Sequence, residues 1–118
     1  MITTGRSRKV EPLDLDDGES IFHATKRALI GSDQGARNFA MRLFMLGEGG
    51  LSAYHTHPWE HEIFVLSGKG KIKSQTGSVA VSAGDFAHIP AMDEHQFLNA
   101  GSEPFEFLCV VPTCGEGG

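Results

Sequence analysis

Cysteine is scarce in this chain: 118 residues hold two, Cys109 and Cys114, separated by Val110-Val111-Pro112-Thr113. That interval is not a zinc-knuckle spacing, and a disulfide is not expected in a reducing compartment. Cys109 shares strand parity with Phe105 and Phe107 and reads as a buried, inert thiol. Basic residues are also few, 10 Lys and Arg against 15 Asp and Glu for a net charge of −5, and beyond Arg6, Arg8 and Lys9 they are scattered. Nucleic acid is therefore not an expected partner, because phosphate neutralisation needs clustered cations. No run approaches the ~18 apolar residues of a membrane-spanning helix. The first residues show neither the apolar stretch nor the cleavage pattern of a signal peptide, so a cytoplasmic location is expected. Helical periodicity is nearly missing too. The one candidate, residues 24–30, reads equally well as a strand.

Histidine is where the chain is rich. His55, His57 and His61 put half of the six histidines into one short stretch, and His95 follows further on. Neutral imidazole is the commonest protein ligand for first-row divalent metals. Positions i and i+2 of an extended segment face the same side, so His55 and His57 can converge on one ion if a later residue and a distant one close the site.

The spacing around these histidines carries more. Gly49, five residues, His55, one residue, His57, then three residues to His61 or four to Glu62, with Gly68 soon after, resembles the first motif of the cupin superfamily. Gly84, five residues, Pro90, then His95 and Asn99 resemble the second motif, and fifteen residues separate Gly68 from Gly84, as in compact microbial cupins. One position departs from the pattern: the family has glycine two after the proline, where this chain has Met92. The resemblance covers about residues 35 to 112. It implies an all-β fold, a double-stranded β-helix or jelly-roll barrel, and a divalent first-row transition metal (manganese, iron, nickel, copper or zinc). The ligands it implies are His55, His57, His61 and His95. Parity does not decide between His61 and Glu62, since Ile63 and Val65 are apolar and so are Phe64 and Leu66. The string from His55 to Glu62 resembles a cupin branch with histidine in the third ligand position, which favours His61 and leaves Glu62 to orient a ligand.

The remainder reads as one domain. Residues 1–19 are polar and acidic and are expected to form a loose arm, 20–113 the barrel, and 114–118 a flexible, glycine-rich tail. Short apolar segments broken by glycine predict nine or ten antiparallel strands. Sheet edges and an apolar outer face predict a homodimer. His88 is expected to be a partly exposed structural residue, Asn99 to fix the turn after its strand, and Arg42 to face solvent from an otherwise apolar strand, the alternative being a cavity-facing guanidinium that binds a substrate carboxylate bidentately. His23 has no partner visible in sequence, and Trp59 and Tyr54 flank the histidines. Function narrows to two classes. One is a small metal-dependent enzyme acting on a carboxylate or enolate by Lewis-acid or dioxygenase-type chemistry, including decarboxylation or isomerisation. The other is a non-catalytic module that binds or senses a small molecule.

Overall fold

A computed structural model describes residues 1–118. Nine strands follow in order: β1 (Leu13–Asp14), β2 (Phe22–Ile30), β3 (Phe39–Leu51), β4 (His61–Ser67), β5 (Lys69–Ser74), β6 (Gly77–Ser82), β7 (Phe86–Ile89), β8 (Gln96–Asn99) and β9 (Phe105–Pro112). Three single turns of 3-10 helix are the only helical structure, so the ambiguous residues 24–30 belong to a strand. The paired order is β6-β5-β8-β3-β9-β4-β7, with β2 on the other edge of β3 and β1 on β2. Every registered pair is antiparallel.

Strand β3 joins the two halves of the barrel. Phe39 to Leu46 pair with β9, whereas Leu51 at its far end pairs with Leu98 of β8. One long strand therefore contributes to both layers, as a jelly roll requires. Alternation places the core: in β9 Phe105, Phe107, Cys109 and Val111 point inward and are buried, while Glu106, Leu108 and Val110 between them are partly exposed. Phe107 stacks on Phe97 at 4.5 Å and lies 5.1 Å from Phe105. Burying each ring is worth roughly 1.5–3 kcal/mol. Gly70 faces this cluster, and a side chain there would collide with the Phe105 ring.

Both termini are more engaged than composition predicts. Leu13 and Asp14 pair with β2, Leu15 packs against the core, and Val10 accepts a bond from Arg27 Nε at 3.0 Å. At the other end, Gly115 and Gly118 lie against the Trp59 indole so closely that a Cβ on Gly115 would come within 2.5 Å of it. The glycines that make this tail look loose in sequence are what let it approach the ring.

Candidate metal centre

The loop from residue 52 to 60 carries His55 and His57 towards the barrel's mouth. His55 and His95 exchange both backbone hydrogen bonds, 3.1 and 3.0 Å, as an isolated antiparallel bridge. Residues opposed in such a pair project their side chains to one face. The extended step to His57 keeps that face, and its carbonyl accepts from Met92 N at 2.7 Å. His61 arrives as the first residue of β4.

The strand pattern sets the two candidates for the third position on opposite faces. In β4, His61, Ile63 and Val65 are buried and Glu62, Phe64 and Leu66 are exposed. His61 retains 4 % exposure and turns its ring to the cavity, 4.7 Å from the His95 ring and 5.2 Å from the His57 ring. Glu62 points the other way and bonds His88 Nδ1 at 3.0 Å on the outer surface. It orients no histidine of the cluster, because adjacent strand residues face opposite sides. His88 is the exposed structural residue the sequence suggested.

Ligand-type nitrogens of His55, His57 and His95 all lie within 4.8 Å of one another; His61 is adjacent to that set rather than part of it. The Nε2 atoms of His55 and His57 are 3.1 Å apart. Two lone pairs cannot face each other at that distance without a proton or a cation between them, and a first-row ion reaching ~2.0–2.1 Å to each nitrogen spans it. His95 Nδ1 lies 3.0 Å from the Asp93 carbonyl, which can only accept, so Nδ1 carries the proton and Nε2 keeps its lone pair for the cavity. Nδ1 of His61 is buried with no hydrogen-bond partner. Such a donor set fits a divalent transition metal.

Burial also favours the neutral ring at His55, His57 and His61. Desolvation, followed by the neighbouring imidazoles, lowers His61 to about 3 and His55 to about 4, and desolvation lowers His57. Neutral imidazole is the ligating form, so none of these three needs to lose a proton at pH 7. Trp59 stacks on His57 with ring centroids 4.6 Å apart and nearly parallel planes, which fixes the His57 plane.

These rings form one wall of a cavity of about 210 Å³, also lined by Leu15, Ile21, Phe44 and Phe97. Several lining residues lie where the sequence reading did not put them. Arg42, expected on a solvated face, is 2 % exposed and faces inward, because acceptors for its guanidinium lie more than sixty residues away in sequence. Lys26 of β2 and the tail glycines Gly117 and Gly118 also belong to the lining. Cys109 is buried as expected, but its sulfur accepts from Arg42 Nη2 at 3.2 Å, so it is more than apolar packing. Asn99 Nδ2 bonds the carbonyls of Leu46, Gly47 and Glu103, and its Oδ1 accepts from Gly101 N, which fixes the turn after β8.

A barrel with clustered histidines at its mouth is the architecture of a metal-site jelly roll. The chain belongs to the cupin family, whose cupin domain model matches residues 42–111. It is 30% identical over 96 residues to a 1-methylthio-D-xylulose 5-phosphate methylsulfurylase of Rhodospirillum rubrum; the match takes in 81% of this chain and 61% of that relative's length. The polyketide cyclase RemF of Streptomyces resistomycificus superposes with a TM-score of 0.86 at 28% identity, over 96% of this chain and 80% of that one. A predicted oxalate decarboxylase of Thermotoga maritima shares the fold, with a TM-score of 0.81 at 22% identity over 93% and 98% of the two chains. No helix is long and apolar enough to cross a membrane.

Proposed function

We propose that this chain is a metal-dependent enzyme acting on a small oxygen-rich acid, a carboxylate or enolate, with one divalent first-row ion held by His55, His57, His61 and His95. The observation that carries this is the convergence of the His55, His57 and His95 ring nitrogens on the wall of a largely apolar cavity. Bound there, the ion supplies a Lewis acid for a substrate oxygen or a redox centre. The protein's own part is orientation and exclusion of water. The Asp93 carbonyl sets the His95 tautomer, Trp59 fixes the His57 plane, and Leu15, Ile21, Phe44 and Phe97 keep the surroundings apolar. A methylsulfurylase and a polyketide cyclase among the relatives support an enzyme over a passive barrel. The two free cysteines suit the cytoplasm.

A second reading, a non-catalytic binding or sensor module, is favoured by one specific observation. No aspartate, glutamate or tyrosine lines the cavity to serve as acid or base. Metal analysis of protein purified without an affinity metal, followed by turnover of small acids and phenols with and without dioxygen, separates the two. The enzyme reading predicts close to one equivalent of metal and turnover of at least one compound. Full metal content in a His55→Ala, His57→Ala double variant would overturn the metal site. Metal without turnover across the panel would favour the module.

A further inference from the structure

Two cationic side chains, the buried Arg42 and the half-buried Lys26, line the cavity beside the histidine cluster. Arg42 stands mid-strand in β3, on the inward row with Ala40, and its guanidinium has five donors and no acceptor. The only side-chain ion pair in the molecule is Glu62 with His88, so no side-chain carboxylate pairs directly with Arg42. Its donors go to the carbonyls of Cys109 (3.4 Å) and Glu116 (3.0 Å), to an oxygen of the last residue, Gly118 (2.7 Å), and to the Cys109 sulfur, with the Phe44 ring 5.2 Å away. The Glu116 carboxylate turns away and bonds Ser32 N and Oγ. The tail therefore holds the guanidinium through its own oxygens, one of them on the last residue.

Lys26, on β2, faces the same cavity, and its ammonium is held below the usual lysine range by burial and then by Arg42. No acidic side chain lines the space. In a chain of net charge −5, the charged side chains of the lining, Arg42 and Lys26, are both basic.

We infer that Arg42 and Lys26 form an anion-recognising end of the cavity, so that the ligand carries a second acidic group, carboxylate or phosphate, besides the oxygens it offers the histidines. The position of the ligand rests on the metal reading above; the anion end itself does not. Two tail oxygens on one guanidinium nitrogen, of Glu116 and Gly118, mark where oxyanion oxygens bind, and the tail must release Arg42 for them to enter. Merely pinning the tail would explain the Arg42 bonds but not Lys26.

Cobalt-substituted protein titrated with pyruvate, 2-oxoglutarate and phosphonopyruvate tests this through the visible spectrum of the metal. All three present a 2-oxo acid; the second adds a carboxylate and the third a phosphonate. We expect at least one of the latter to bind about tenfold or more tighter than pyruvate, the order of one charge-assisted contact, and whichever does so names the anion. Lys26→Met and Arg42→Gln should each bring that ratio near one. Equal affinities in the parent protein, or a ratio that survives both variants, would overturn the inference. If Arg42→Gln does not fold, Lys26→Met decides alone. If cobalt is not held, or no acid alters its spectrum, the metal reading fails separately. Calorimetry of metal-free protein with succinate and inorganic phosphate then judges the anion end: binding lost in Lys26→Met supports it, and the lack of binding by either anion overturns it.

Discussion

The two faces of β4 carry nearly the same hydrophobicity and do opposite things. Inward, His61, Ile63 and Val65 join the histidine cluster to the core; outward, Glu62, Phe64 and Leu66 meet solvent. Leu43, Leu108, Phe64 and Phe86 stand in register across β3, β9, β4 and β7, so the outer face carries an apolar row of its own. Alternation alone cannot tell inside from outside when both rows are apolar. The neighbours settle it, because His61 reaches other imidazoles and Glu62 reaches only His88.

The sharpest way to break this comparison is to exchange the chemistry of the two adjacent residues. His61→Ala should weaken metal binding by about tenfold or more, as expected on losing a ring that faces the ion. Glu62→Gln should leave affinity within about twofold, because its carboxylate is outside the barrel. Competition titration against a chromophoric chelator measures both. The reverse ranking would place the glutamate at the metal and the histidine in a packing role.

The outer row has its own test. We propose that a second copy of this chain covers it, since Phe64, Leu66 and Phe86 are each at least 45 % exposed on adjoining strands. Light scattering should return twice 12.7 kDa at micromolar concentration. Phe64→Asp should shift the mass towards the monomer and leave metal content unchanged. A monomeric parent protein would show that this apolar row faces water.

Legibility in the sequence followed the range of the interactions. Motif spacing located His55, His57 and His95, and glycine-bounded alternation located the strands, because both are local signals. Arg42 was misplaced because what holds it lies far along the chain, at Cys109, Glu116 and Gly118. A charged residue in an apolar strand defaults to the outside until such partners are known. The tail misled for a related reason. Glycine is scored as loose, yet Gly115 is buried against Trp59, a contact a larger residue would prevent.

Met92 offers the smallest and most local test. The family pattern has glycine at this position, and the backbone keeps glycine's geometry without the glycine: φ is +72°, in the left-handed region. The turn cannot relax, since Met92 N is bonded to the His57 carbonyl at 2.7 Å and Asp93 N to the Pro90 carbonyl at 3.3 Å. Holding a non-glycine residue there costs ~1–2 kcal/mol. The side chain returns little of that, being 63 % exposed. Glycine's greater freedom in the unfolded chain offsets part of the gain, so Met92→Gly should stabilise the fold by a net ~0.5–1 kcal/mol. Denaturant unfolding with an unchanged m-value reads it directly. Metal affinity should hold or improve slightly, because the same turn delivers His95 to the cluster. A loss of stability would mean that the methionine packs against something, such as a second subunit, that its exposure in the single chain conceals.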